Sequence, residues 1–179
     1  MVIDVVASRQ RKYLARVLPL VDRWQADNDE HSLHWLSAHE PAPDRYGLRP
    51  AEPQTITTIA RNMAAFADDL GVDEDQACLR WATDVADLQH AFRLDPVAGA
   101  VPGIGPALFA YLRMRSGADA LKPDSRVAER LRRLGFQVPP GEHAILVVAH
   151  AAAAEAAIDL LVLDQLLWWL DPRGRQSRL

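Results

Sequence analysis

The stretch Val101-Pro102-Gly103-Ile104-Gly105-Pro106 joins two predicted helices and decides the fold predicted for this chain. Asp95 and Pro96 stand in the favoured order for the cap and first residue of a short helix, which Gly99 closes. Pro106 opens the second helix, and Gly117 ends it. Between the two helices the glycines allow a tight turn, and Ile104 is expected to point inward and anchor it.

The same glycines suit a turn that binds an anion. Without side chains in the way, backbone amides can approach a charged oxygen closely, and the start of a helix favours negative charge. The amides of Gly103, Ile104, Gly105 and Ala107 are therefore predicted to hold a nucleic-acid backbone. A plain helix–helix turn is the structural alternative.

Charge is distributed unevenly along the chain, although the net charge is −4. Residues 20–95 carry fifteen acidic and six basic side chains, whereas residues 101–137 carry seven basic and three acidic ones. This local excess makes Arg113, Lys122 and Arg126 candidate contacts to a DNA backbone. The other interpretation is that a run of arginines merely solvates an exposed helix face.

Composition places the chain among globular proteins, since 49% of its 179 residues are hydrophobic and 25% are charged. Cys78 is the only cysteine, which excludes an internal disulfide and an iron–sulfur cluster held by four cysteines. No apolar targeting core precedes residues 9–12, and charged side chains interrupt residues 144–170. We expect no cofactor beyond a bound monovalent cation, no membrane partner, and a cytoplasmic location with nucleoid association if the protein binds DNA.

Hydrophobic spacing predicts an all-α chain of eight or nine helices. An amphipathic helix is predicted over residues 3–26, with a break near Leu18 caused by Pro19. Further helices are predicted near residues 32–38, 54–70, 73–92, 125–134, 142–157 and 161–170, with a loop over residues 40–53. His31, His34 and His39 are interpreted as surface or packed side chains rather than metal ligands.

Three segments resemble one known family. Val101-Pro102-Gly103-Ile104-Gly105 resembles the helix-hairpin-helix motif, and Asp124-Ser125-Arg126-Val127 resembles the segment that follows it in the helix-hairpin-helix (HhH-GPD) DNA glycosylase superfamily. Residues 163–168 resemble a weaker pattern in which an aspartate and a tryptophan share a helix. The resemblance covers residues 73–168 and implies an all-α, glycosylase-like fold of two helical lobes with a cleft between them.

The resemblance also implies a function in base-excision DNA repair. In the family, hairpin amides grip double-stranded DNA, often with a sodium or potassium ion, which here would lie at the carbonyls of Val101 and Gly103. The damaged base is flipped into the cleft, and an aspartate that matches Asp124 assists cleavage of the N-glycosidic bond. Asp124 is the candidate catalytic residue on this basis, while its position before a helix also makes it a natural cap.

The chain departs from the family at several positions. Bifunctional members carry a lysine where this chain has Ala107, and many relatives have a histidine where it has Arg126. The polar helix start with which many relatives enter DNA has no counterpart here. The implied activity is therefore that of a monofunctional N-glycosylase. Two alternatives remain: a non-catalytic DNA-binding or protein-interaction module with the same fold, and a helical protein that does not bind nucleic acid.

We expect one all-α domain over residues 1–179. Within it, residues 73–135 would carry the helix-hairpin-helix core, and residues 1–50 and 140–179 would supply flanking helices that pack together.

Overall fold

The structure, a computed structural model, describes residues 1–169. All regular secondary structure in this part of the chain is helical, with no strand, which confirms the predicted all-α class. Its ten α-helices, one more than the largest predicted number, are α1 (Val2–Ala7), α2 (Leu18–Asp27), α3 (Leu33–Ala38), α4 (Pro43–Tyr46), α5 (Glu52–Leu70), α6 (Glu74–Asp84), α7 (Pro106–Arg115), α8 (Ser125–Arg133), α9 (Glu142–Ala156) and α10 (Leu160–Trp169). A π-helical segment (Tyr13–Val17) precedes α2, and 3₁₀ turns (Ala86–Leu88 and Phe92–Leu94) follow α6.

Local capping explains where several helices begin and end. The Ser32 hydroxyl accepts the Trp35 N–H at 3.1 Å at the start of α3, and the Asp73 carboxylate accepts the Gln76 N–H at 2.8 Å at the start of α6. Gly71 ends α5 in the left-handed conformation, with φ +63°. These three boundaries agree with the sequence prediction. The loop predicted over residues 40–53 is interrupted by the four-residue helix α4.

The single N-terminal helix predicted over residues 3–26 was wrong. Helix α1 ends at Ala7, and the chain turns through residues 8–12 before helical structure resumes at Tyr13. The Arg11 guanidinium holds this turn by donating to the Ala7 carbonyl at 2.9 Å and to Glu52 at 2.8 Å. Pro19 lies in the first turn of α2, next to Leu18, where the helix changes from π to α type.

The short helix predicted at Asp95 is also replaced by a turn. The buried Asp95 carboxylate accepts the N–H groups of Ala98 and Gly99, each at 2.8 Å, and the Trp81 indole N–H at 3.1 Å. A side chain at Gly99 would collide with the Phe92 carbonyl oxygen, which lies 1.8 Å from the ideal Cβ position. Asp95 thus accepts the backbone N–H groups that follow it, as a predicted cap would. These hydrogen bonds, however, organise a turn instead of a helix.

Two hydrophobic clusters divide the described chain near residue 120. The first contains α1, α5, α6 and α7, and the second contains α8, α9 and α10. The hairpin therefore belongs to one cluster and the helix after Asp124 to the other. The N-terminal and C-terminal segments meet at the edge-to-face contact between Tyr13 and Trp168, whose ring centroids are 6.4 Å apart.

Within residues 1–169, no single helix is both long and apolar enough to cross a membrane. Helices α9 and α10 meet that requirement of length and composition only when taken together, and they are bent by 97° relative to each other.

Candidate nucleic-acid interface

The hairpin turn is anchored from inside the first cluster. The Ile104 side chain is 3% exposed, which confirms that it points inward. The Ile104 N–H donates to the Val101 carbonyl at 3.1 Å, and the Thr55 hydroxyl donates to the Pro102 carbonyl at 2.9 Å. Gly103 has φ +94°, a conformation that favours glycine, and an added Cβ would lie only 3.0 Å from the Thr55 hydroxyl oxygen. The turn is therefore held in one shape.

This shape leaves three of the four predicted amides available. The N–H groups of Gly103, Gly105 and Ala107 make no hydrogen bond within residues 1–169. Gly105 is the N-cap of α7, and the first N–H bonded back to it is that of Phe109, at 2.9 Å. The Ile104 amide is occupied by the Val101 carbonyl, so it is removed from the predicted contacts. The cation expected at the carbonyls of Val101 and Gly103 stays a prediction.

The hairpin forms part of the wall of a large cleft between the two clusters. This cavity has a volume of about 1230 Å³. Its lining brings together the hairpin turn (residues 103–108), the segment with Lys122, Asp124 and Arg126, and one side of α10 with Asp164 and Trp168. Segments that are distant in the sequence and were singled out separately therefore face one space.

Basic side chains outnumber acidic ones around this cleft. The acidic lining residues are Asp124, Glu142 and Asp164. The basic lining residues are Arg9, Arg11, Arg93, Arg115, Lys122, Arg126, Arg130 and Arg132. Two of the basic residues are paired with carboxylates, Arg11 with Glu52 and Arg115 with Asp4. The remaining basic residues still outnumber the acidic ones, and a concave surface with this excess attracts polyanions although the chain as a whole is acidic.

Arg113 does not belong to this surface, and its assignment as a backbone contact was wrong. Its side chain is 1% exposed, and its Nε donates to the Ala82 carbonyl at 2.9 Å inside the first cluster. Arg113 is spaced along α7 like the core residues of that helix. The apolar stem of its side chain can therefore be buried together with them.

Arg9 is a residue that the sequence prediction missed. It is exposed, it lines the cleft, and its Nη1 lies 3.9 Å from the ideal Cβ position of Gly103. The break after α1 carries it to the hairpin, which a continuous N-terminal helix would not do. The group of basic residues near residue 9 was the only sign of this contact in the sequence. The turn through residues 8–12 is what directs Arg9 toward the hairpin.

Asp124 combines a structural role with a position on the cleft. Its Oδ1 accepts the N–H groups of Arg126 and Val127, each at 3.0 Å, as the N-cap of α8. Its Oδ2 makes no hydrogen bond within residues 1–169, and the half-buried side chain lines the cleft. The cap and the candidate catalytic function use different oxygens, so neither excludes the other.

Two ionisable groups beside Asp124 are perturbed by burial. The Lys122 Nζ donates to the Ser8 hydroxyl at 3.2 Å and lies 4.5 Å from the centroid of the Tyr111 ring. Burial lowers the pKa of Lys122, against the opposing effect of Asp124, Asp164 and Asp4. Burial raises the pKa of Asp164 to about 6, and Asp124 adds to the shift. A carboxyl group and an amine that titrate away from their usual ranges are typical of functional sites.

Aromatic side chains can stack on a nucleic-acid base, and those of this region separate into two groups. Trp81 is 2% exposed in the first cluster, which removes it from the interface. Tyr111 and Trp168 are half-buried and line the cleft. The Arg126 guanidinium lies 4.4 Å from the centroid of the Trp168 ring, so one face of this ring already carries a cation.

His31, His34 and His39 do not line the cleft. The His34 ring contacts the carboxylates of Glu74 and Asp68, and His39 stacks on Trp35 with ring centroids 4.3 Å apart. Within the described part of the chain, no group of three potential ligands is placed to hold a metal ion.

Comparison of the chain with models of protein families, with curated proteins and with solved structures finds no match.

Proposed function

We propose that the cleft binds double-stranded DNA and that the protein is a monofunctional DNA N-glycosylase in which Asp124 assists base release. The proposal is supported most by one observation: the free amides of Gly103, Gly105 and Ala107 share a basic cleft with Asp124. Two of these amides flank the N-terminus of α7, where the helix dipole favours a phosphate oxygen.

The proposed binding contacts follow from this arrangement. One backbone phosphate accepts hydrogen bonds from the hairpin amides, and exposed Arg9 and Arg126 pair with neighbouring phosphates. Lys122 is half-buried and reaches the same space from the other cluster. These contacts position a duplex without reading its sequence, so the binding is expected to be general for duplex DNA.

The proposed chemistry is hydrolysis of the bond between a base and its deoxyribose. The attacking water forms a bond to C1′ while the C1′–N bond breaks, and the base leaves with its electron pair. Positive charge develops on the sugar in this step, and the Asp124 carboxylate stabilises that charge or accepts the proton of the water. Flipping the nucleotide out of the duplex would bring C1′ to the cleft.

Duplex binding is tested by measuring the fluorescence anisotropy of a labelled duplex at increasing salt. The proposal predicts a Kd that rises steeply, with a slope of about 0.9 in log Kd against log salt for each phosphate contact. No binding at low salt would contradict the proposal as a whole.

Base release is tested separately on a panel of duplexes that each contain one damaged base. The wild type is expected to release a base from at least one of them, and Asp124→Asn is expected to lose this activity. Asparagine caps a helix as well as aspartate does, so the variant keeps the fold while losing the charge.

The non-catalytic alternative is favoured by the two hydrogen bonds that Asp124 makes as the cap of α8. This capping would be sufficient reason for an aspartate at position 124. Duplex binding without base release on any tested lesion would support this alternative.

A further inference from the structure

We propose that a second cavity, built around the buried guanidinium of Arg113, binds a small apolar α-amino acid as its zwitterion. The cavity lies where the two hydrophobic clusters meet, and residues 86–90, 150–154 and 158–160 form most of its wall. Its volume is about 520 Å³, and it shares no lining residue with the cleft assigned to DNA. The inference therefore does not depend on the proposed function.

Arg113 gives this cavity a buried positive charge without a partner. The residue lines the cavity, although only 1% of its surface is exposed. Its Nε donates to the Ala82 carbonyl at 2.9 Å, but its terminal nitrogens make no hydrogen bond and no ion pair within residues 1–169. Burial lowers the pKa of Arg113, yet a guanidinium stays protonated in a protein. A buried charge without an acceptor costs free energy, so these N–H groups favour an anionic ligand.

Three exposed carboxylates line the same cavity and restrict the kind of anion that it can hold. They belong to Asp87, Asp119 and Asp159. Asp119 uses its Oδ1 to accept the Leu161 N–H at 2.8 Å, whereas the other two carboxylates make no hydrogen bond in the described part of the chain. A phosphate would bring up to two negative charges beside these groups and be repelled by them. A ligand that carries a positive charge next to its own carboxylate would instead be attracted.

The two kinds of charge together match the head of an α-amino acid. A guanidinium binds a carboxylate through parallel N–H···O bonds, which Arg113 offers from the protein interior. In an α-amino acid one carbon separates the carboxylate from the ammonium group, so the ammonium group can face the Asp87 and Asp119 carboxylates at the same time. Both of these carboxylates oppose the effect of burial on the pKa of Arg113, which places them close enough to share one small ligand with it.

The remaining wall of the cavity is apolar and selects the side chain of the ligand. Ala153 and Leu160 are buried, and Ile158 is half-buried. These residues come from the end of α9, the loop after it and the start of α10. An aliphatic side chain would pack against them, whereas a charged one would lose its hydration there. Leucine is therefore the amino acid with which we expect binding to be detected.

The test compares leucine with two analogues that each lack one of its charged groups. Isocaproate has the same skeleton without the amine, and isoamylamine has it without the carboxylate. The full-length protein is titrated with each compound by isothermal titration calorimetry. We expect leucine to bind at least tenfold more tightly than either analogue. NMR shift changes at the rings of His90 and His150, which line the cavity, locate the bound leucine.

Substitutions assign the two charged ends of the ligand to the cavity. Arg113→Met keeps an apolar stem without the charge and should weaken the binding of leucine at least tenfold. Asp119→Asn keeps an acceptor for the Leu161 N–H but removes the negative charge, so it should weaken leucine at least threefold and leave isocaproate unchanged. Asp69 is exposed and lies outside the cavity, so Asp69→Asn should behave as the wild type. Since Arg113 is buried, thermal unfolding checks the fold of its variant, and exposed Asp119 supplies the test if that variant does not fold.

The competing explanation is that ordered water satisfies the Arg113 guanidinium. In that case leucine would give neither heat nor shift changes at concentrations up to about 10 mM, and the inference would be overturned. Equal affinities for leucine and isocaproate would also overturn it, because the carboxylates would then have no part in binding. So would leucine binding that is unchanged in Asp119→Asn. None of these results bears on the binding of duplex DNA by the cleft.

Discussion

The backbone N–H of Lys122 donates a hydrogen bond to the Asp164 carboxylate over 3.2 Å. This bond ties α10 to the segment that carries the candidate catalytic residue, Asp124. Both residues lie on the side of the cleft that the second cluster forms, so the bond holds α10 against the segment that leads into α8. It also places the half-buried Asp164 carboxyl group, the half-buried Lys122 side chain and the capping carboxylate of Asp124 next to one another.

Substitutions at Asp124 should separate its two roles. Asp124→Ala removes the cap of α8 and should lower the free energy of unfolding by about 1 kcal/mol, whereas Asp124→Asn should change it by only a few tenths. Both variants should lower base release by about 100-fold or more, because both remove the carboxylate charge. Urea denaturation measures the change in the free energy of unfolding. The rate of base release from a damaged duplex that the wild type processes measures the loss of activity.

Asp73 supplies the matched control, since it caps α6 in the same way and lies outside the cleft lining. Asp73→Ala should cost a similar free energy of unfolding but leave base release unchanged. Equal losses of base release in Asp73→Ala and Asp124→Ala would show that the effect at position 124 is only structural.

Removal of a single cleft charge should reduce the salt dependence of DNA binding. Arg9→Gln and Arg126→Gln should each lower the slope of log Kd against log salt by about 0.9, which corresponds to one phosphate contact. Arg80 is exposed and lies outside the cleft lining, so Arg80→Gln should leave the slope unchanged. Titrations at four or more salt concentrations measure the slopes. Three equal slopes would contradict the assignment of the cleft as the DNA-binding surface.

The half-buried Asp164 carboxyl should make the protein less stable as the pH rises. Its pKa is raised from 3.8 in the unfolded chain to about 6 in the folded protein, so the folded state binds more protons between these values. This contribution to stability is present below about pH 4 and is lost by about pH 6 to 7. Asp164→Asn should remove this dependence and raise stability at pH 7 by about 1 to 2 kcal/mol. Thermal unfolding of both proteins across this pH range measures the difference, with exposed Asp69→Asn as the control.

The His34 contacts should give a pH dependence of the same sign, at higher pH and at another place on the surface. Hydrogen bonds to Glu74 and Asp68 raise the pKa of His34 above 6.5. The stabilisation by the charged ring is therefore fully present below pH 6.5 and is lost as the pH rises through the higher pKa of the folded state. An NMR titration of the His34 ring measures this pKa directly. In His34→Gln the pH dependence of unfolding over this window should become weaker, and an unshifted ring titration would contradict the assignment.

The sequence predicts the all-α class and the cap at Asp124, because both depend on residues close together in the chain. It also predicts the inward position of Ile104, since two glycines and two prolines leave the turn few other conformations. The burial of Arg113 could not be predicted, because helical spacing does not show which face of α7 meets the Ala82 carbonyl. The position of Arg9 beside the hairpin depends on the break after α1, which Arg11 and Glu52 stabilise across a long sequence separation.

The proposed contact between the Gly105 amide and a phosphate can be tested by one equilibrium titration. A Cβ at Gly105 would have no atom within 4 Å, and its backbone angle is ordinary for any residue, so Gly105→Ala should fold normally with a loss of less than about 1 kcal/mol from the poorer cap. The added methyl group should keep a phosphate from the turn. We predict that Gly105→Ala binds a labelled duplex at low salt at least tenfold more weakly than the wild type, with thermal unfolding nearly unchanged. Equal affinities of the two proteins would contradict the account.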